Sequence, residues 1–209
     1  MKTDFIFDFE SMGKCARKVP AIDCAYTTFI WERFLDEPYT FEELVAGMQK
    51  GKLDIKHQVE EHDFAYTQDD LQWWMGQSKE ARKNIVPRQD DLKINMFIQR
   101  LIEYLRSQEK ISHWWSRGNS FDPVILDHLA DTVGKVELIN QYIPFWKIRD
   151  VRTFIDAKLN FPSKNGFVPI ADTDRWEQIF NQHDSTHDVA ADILRLQTIH
   201  RAENDMEQL

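Results

Sequence analysis

Cysteine is scarce in this chain: Cys15 and Cys24 are the only two, nine residues apart. That spacing matches no zinc pattern, so both read as reduced, cytosolic thiols. No apolar run approaches the roughly twenty residues needed to cross a bilayer, and no N-terminal stretch reads as a signal peptide. The expectation is a cytoplasmic chain with no membrane partner. Positive charge is also in short supply, 26 Lys and Arg against 35 Asp and Glu, for a net charge of −9. That balance argues against non-specific binding of polyanions. It leaves room for carboxylates gathered around metal ions, with basic residues placed locally. Repeats and low-complexity tracts are absent. What remains is 209 residues, 42% apolar and 29% charged. This is a soluble globular balance, sufficient for one core and small for two domains. A single domain over 1–209 is expected. Seven Trp and fourteen Phe are enough that some aromatics do more than fill a core.

The organising stretch is Asp4-Phe5-Ile6-Phe7-Asp8-Phe9-Glu10, which alternates with the period of a β-strand. Phe5, Phe7 and Phe9 fall on one face; Asp4, Ile6, Asp8 and Glu10 fall on the other. Asp8 and Glu10 lie roughly 6.5–7 Å apart along such a strand. Both then reach one divalent cation, or two cations about 4 Å apart. Like charges so placed cost stability unless a cation offsets them. The plain alternative is a strand that simply emerges into solvent at Asp8.

Further strands are expected over 20–34 and 52–56, with Leu35-Asp36-Glu37-Pro38 closing a hairpin. Thr40 to Glu43 has capping-box spacing and starts a short helical turn. Thr67 caps a helix carrying Leu71, Trp74 and Met75, and Ser78 starts another that Pro87 stops. Asp90 or Asp91 caps the clearest helix, with Ile94, Phe97, Ile98, Leu101, Ile102 and Leu105 on one stripe. A strand over 111–116, a helix over 121–133, a strand over 143–146 and a helix capped by Asp150 follow. Residues 157–183 read as a loop and short-helix insertion, and the last helix begins near Ser185. A polar tail over 203–209 is expected to fray. Strands paired first by hairpins and then separated by helices give a mixed α/β sheet.

Two other places put acids where a strand hands over to a helix. Asp122 precedes Pro123 at a helix start, where its carboxylate could also serve only as a cap. Residues 181–192 (NQHDSTHDVAAD) hold two His and three Asp. His183 and His187 have the spacing of the two histidines in a zinc-protease helix, and the paired His-Asp dipeptides suit HD-type metal hydrolases. His187 with Asp192 can instead act as base and metal ligand, and Ser185 with Asp188 can be a capping pair.

Taken in order, Asp8-Phe9-Glu10, Phe121-Asp122 and His187-x₄-Asp192 resemble the motifs of the DEDDh (DnaQ-like) 3′→5′ exonucleases. That resemblance implies an RNase H-like fold: a mixed sheet, antiparallel over its first three strands and parallel afterwards, flanked by helices. Trp73-Trp74, Gln77, Glu80 to Ile85, Arg117-Gly118-x-Ser120-Phe121-Asp122 and the 183–188 segment are similar to T-even phage members. The host cytoplasm is therefore the implied location. His183 with Asp188 has the same spacing; Val189 and the Ala-Ala before Asp192 favour His187 with Asp192, as filling of the family's kind.

The resemblance implies two Mg²⁺ or Mn²⁺ ions held by Asp8, Glu10, Asp122 and Asp192, with His187 as general base. The implied reaction releases 5′-nucleoside monophosphates from a free 3′ end, single-stranded DNA being favoured over RNA. Trp73, Trp74, Arg82, Arg117 and Phe9 are the candidate substrate contacts, and a homodimer is compatible. The distant alternative is a zinc or HD-type hydrolase centred on 183–192.

Overall fold

The first strand, β1 (Thr3–Ser11), is the centre of the sheet. Its alternation buries Phe5, Phe7 and Phe9 in one cluster and Ile6 in another. Such a strand must be covered on both faces. The computed structural model describes residues 2–159, 168, 170 and 178–207. Within them β1 pairs antiparallel with β2 (Ala21–Ile30), and β2 pairs antiparallel with β3 (Gln49–Lys52). On its other side β1 pairs parallel with β4 (Ile111–Ser116), and β4 pairs parallel with β5 (Ile148–Asp150). The order is β3-β2-β1-β4-β5, a mixed sheet flanked by helices and consistent with an RNase H-like fold.

Between β2 and β3 lie α1 (Arg33–Asp36), where Leu35–Pro38 was expected to close a hairpin, and α2 (Phe41–Gly47), at the helical turn expected from Thr40. Thr40 caps α2 by accepting from the Glu43 N–H at 3.1 Å. The alternation over 52–56 is not a strand. β3 ends at Lys52, and the Asp54 carboxylate accepts the His57 N–H at 2.9 Å to start α3 (Ile55–His62). A capping acid outweighs a short apolar alternation there. The Thr67–Asp70 capping box opens α4 (Gln68–Met75), and Ser78 caps α5 (Lys79–Arg82). The amphipathic α6 (Ile94–Ser107) forms as its stripe requires, but its N-cap is Lys93. Asp91 is engaged elsewhere, by Lys52 at 2.6 Å.

After β4 come α7 (Asp122–Thr132), with Pro123 in its first turn, and α8 (Val136–Tyr142). The strand expected over 143–146 is displaced: Phe145–Lys147 is a 3₁₀ turn, and β5 follows it. Asp150 caps α9 (Val151–Leu159), its carboxylate accepting the Thr153 N–H at 2.7 Å. Most of the expected 157–183 insertion lies outside the described residues. The last helix, α10 (Ser185–Glu207), continues through residues expected to fray.

Helices α6 and α7 cover the Phe5/Phe7/Phe9 face, with Phe97, Leu101, Ile125 and Leu129 in one cluster. Helices α9 and α10 cover the Ile6 face with Val151, Ile155, Val189, Ala190 and Ile193. Ala190 and Ala191 are fully buried; their small side chains let α10 lie close to β1. That close approach matters because Asp8 and Glu10 share the Ile6 face.

Candidate active site

The C-terminal half of β1, the start of α7 and the start of α10 converge on one acidic group. One ligand oxygen each from Asp8, Glu10 and Asp188 lies within 4.8 Å of the others. Asp122 is nearly fully buried at the first position of α7, and its carboxylate accepts the Phe9 N–H at 3.2 Å. Helix α7 is thus tied to the strand between the two strand acids.

Burial and mutual repulsion dominate the electrostatics. Burial, with the charges of Asp122 and Asp188 adding, pushes the Asp8 carboxyl well above its usual range. Burial, then the Glu10 and Asp192 charges, pushes Asp188 up to about 8. Asp122 is also raised to about 8 by burial, although the Phe9 N–H pulls the other way. Carboxylates held together at that cost are a hard, oxygen-only donor set and fit a divalent cation.

His183 joins this group from the loop just ahead of α10. Its backbone is left-handed, with φ 64°. Its Nδ1 lies 3.7 Å from Glu10 Oε1, and that contact raises the imidazole pKa. The ring packs edge-on against Trp73 and Trp74, with centroids 4.9 and 6.0 Å away. The His183 carbonyl accepts from Asn84 Nδ2 at 3.0 Å. Lys50 Nζ bridges Asp23 at 3.2 Å and Asp184 at 2.9 Å, fastening the first turn of α10 to the edge of the sheet. Asp23, the register partner of Glu10, also accepts from the Ser185 hydroxyl. Nothing in the sequence pattern singled out Lys50, Asn84 or Asp23; only the folded register brings them here.

The expected pair, His187 with Asp192, is arranged otherwise. His187 lies inside α10, its Nδ1 accepting the Asn181 N–H at 2.9 Å and its ring 5.2 Å from Phe41. Burial lowers its pKa. Asp192 is close enough for its charge to act on Asp8, but its carboxylate is taken up by arginines. Arg117 Nε donates to both oxygens at 2.8 and 3.0 Å, Arg117 Nη2 donates as well, and Arg195 Nη1 donates at 2.8 Å. The cause is helical. Residues five apart are about 140° apart around a helix, so a histidine sharing a site with the acid five residues later must stand outside the helix. His183 does and His187 does not. The buried Val-Ala-Ala ahead of Asp192 packs α10 on the sheet. The two histidine rings face different neighbours, which leaves no shared zinc site between them.

The remaining candidates divide. Trp73 and Phe9 line a cleft of about 810 Å³ together with Glu10, Tyr66, Phe121 and His183. Trp73 is 42% exposed, whereas Trp74 is 1% exposed and donates from Nε1 to the Ser11 carbonyl at 3.0 Å. Trp74 also borders the cleft, but its indole is built into the core. Arg117 is committed to Asp192, and Arg82 does not line the cleft. No helix among the described residues is long and apolar enough to cross a membrane.

Comparison with known proteins bears on this geometry. A family model described as the 3′-5′ exoribonuclease Rv2179c-like domain matches residues 3–199. The exodeoxyribonuclease of Enterobacteria phage T4 is 36% identical over 207 residues, spanning 92% of this chain and 87% of that protein.

Proposed function

Because the chain belongs to the Rv2179c-like 3′-5′ exoribonuclease domain family and is a 3′-5′ exonuclease, we propose that its substrate is the 3′ end of single-stranded DNA. The catalytic centre is Asp8, Glu10, Asp122, Asp188 and His183. The observation that carries this assignment is the meeting of three carboxylates within 4.8 Å with His183 against one of them. The name of the phage relative favours DNA; the description of the family favours RNA as the alternative substrate.

Asp8, Glu10 and Asp188, with Asp122 beside them, would hold Mg²⁺ or Mn²⁺, as a pair of ions. When bound, such ions activate the attacking water and stabilise the leaving 3′-oxygen. His183 takes the proton from that water. Glu10 raises the imidazole pKa in the bare protein, and neutralising Glu10 removes that pull, returning the ring toward its ordinary value near neutrality. The water oxygen bonds to phosphorus, the bond from phosphorus to the 3′-oxygen breaks, and a 5′-nucleoside monophosphate leaves. Trp73 offers its exposed face to the terminal base in the cleft beside Glu10 and His183, as aromatic platforms do for single strands.

The test places 3′-labelled single strands and duplexes of DNA and RNA side by side in Mn²⁺. Mononucleotides released fastest from single-stranded DNA are expected, with closed circles left intact. Faster release from RNA would reverse the substrate assignment, and nicking of circles would overturn the exonuclease mechanism.

A further inference from the structure

A second cleft, about 750 Å³, lies on the far side of the β1–β2 loop and the start of α7. It holds none of the catalytic acids. Arg17 lines both this cleft and the one beside Glu10. Residues Asn119 and Pro123, flanking Asp122, line the second cleft, and Phe121 lines the first. The two clefts therefore adjoin at Arg17, and the chain on either side of Asp122 contributes to both. Arg17 and Lys18 are exposed at this junction, and neither has an ion-pair partner among the described residues. In a chain of net charge −9, two uncommitted cations where this cleft adjoins the one that holds Glu10 mark where a polyanion can lie.

The far wall carries Phe145, 72% exposed, and next to it stands Trp146, 67% exposed. Their rings stand edge to face, 5.2 Å apart and 85° between planes. Large aromatics left this bare on a water-facing turn need an occupant. The turn beneath them is tied to β4 at two points. Trp114 Nε1 donates to the Pro144 carbonyl at 2.8 Å, and Lys147 Nζ donates to the Ile111 carbonyl at 2.9 Å. The rings are thus presented on a fixed support, which lowers the entropic cost of stacking on them.

We propose that this second cleft is the track for the strand upstream of the bond being cut. Arg17 and Lys18 meet its phosphates, and Phe145 and Trp146 stack on its bases. The inference rests on the exonuclease mechanism above, and it adds a sequence-independent site for several nucleotides outside the catalytic centre. Base stacking on aromatics tolerates any sequence because every base has a π-face.

The experiment measures kcat/KM on single strands of two to eight nucleotides in Mn²⁺, for the wild type and for Phe145→Ala, Trp146→Ala and the double variant. Binding of a labelled eight-nucleotide strand without metal is followed by anisotropy. Melting curves check the fold, which exposed rings should not disturb. The wild type is expected to gain efficiency with length. Each substitution should cut that gain by on the order of 10-fold on the longest strands, with the double variant nearly indifferent to length. Length dependence and anisotropy both matching the wild type would overturn the track. So would dissociation of a dimer on substitution, which would make the aromatic pair a contact between copies. If the wild type hydrolyses no strand at all, the catalytic assignment falls, and the anisotropy comparison still decides the track.

Discussion

Trp73 and Trp74 are adjacent in sequence and opposite in environment. Adjacent helical residues cannot share one stripe; Trp74 is locked into the core by its bond to the Ser11 carbonyl, and Trp73 faces the cleft. Trp73→Ala should therefore raise KM by on the order of 10-fold, the effect of losing a stacking platform. The change in kcat should be smaller; steady-state kinetics on a trinucleotide reads both. A fall in kcat alone would show that the indole instead orients His183, which it touches at 4.9 Å. The strand acids were legible at this scale because a period of two leaves no choice of face. Which histidine stands beside them was not, because the segment from 183 to 192 holds two His-x₄-Asp pairs in overlapping registers. That placement depends on where α10 starts, and the left-handed His183 just ahead of the helix is the one set against Glu10.

At the scale of elements, the edge strand β3 supports the site through both of its faces. Lys50 points toward α10 and bridges Asp23 and Asp184, while Gly51 lies against Phe97 of α6. A Cβ on Gly51 would come within 2.8 Å of the Phe97 ring. Gly51→Ala is expected to destabilise the protein by about 1–3 kcal/mol through overpacking, as measured by chemical denaturation. A neutral result would show that Phe97 has room to withdraw. Helix α6 was readable from its stripe alone, and α2 and α4 from their caps. β3 was not, since Gln49–Lys52 is polar and is a strand only because β2 pairs with it. The alternation over 52–56 predicts a strand that begins where β3 ends, and the Asp54 cap is the sequence signal that opposes it. Phe145 and Trp146 predict strand because aromatics favour strands when buried, and here they are bare on a turn.

For the molecule as a whole, the acidic centre makes stability depend on pH and on divalent cations together. Asp122 and Asp188 titrate at about 8 in the folded protein, against about 4 in an unfolded chain. Between those values the folded state binds more protons than the unfolded one, so this contribution to stability falls as pH rises. The raised His183 acts in the same direction: its stabilisation is full below the unfolded value and is lost as pH climbs through the folded one. The metal-free protein should lose Tm from pH 6 to pH 8. Mn²⁺ should restore more Tm at pH 8 than at pH 6, and Asp188→Asn should remove most of the difference. Equal Mn²⁺ effects at both pH values would mean that these acids do not form the cation site. The sheet order was readable in outline from hairpins followed by crossover helices, but the side of the sheet that α10 covers followed only from the packing of Val189, Ala190 and Ile193. The most direct test of the catalytic assignment is single-turnover release of mononucleotide from a 3′-labelled strand, with Mn²⁺ affinity measured alongside. Four variants are compared: His183→Ala, His187→Ala, Asp188→Asn and Asp192→Asn. His183→Ala is expected to slow release by on the order of 10²–10⁴ with little change in Mn²⁺ affinity; Asp188→Asn should weaken both. His187→Ala should stay within about 10-fold of the wild type, well short of the loss of a general base. A dead His187→Ala beside a nearly normal His183→Ala would contradict the account.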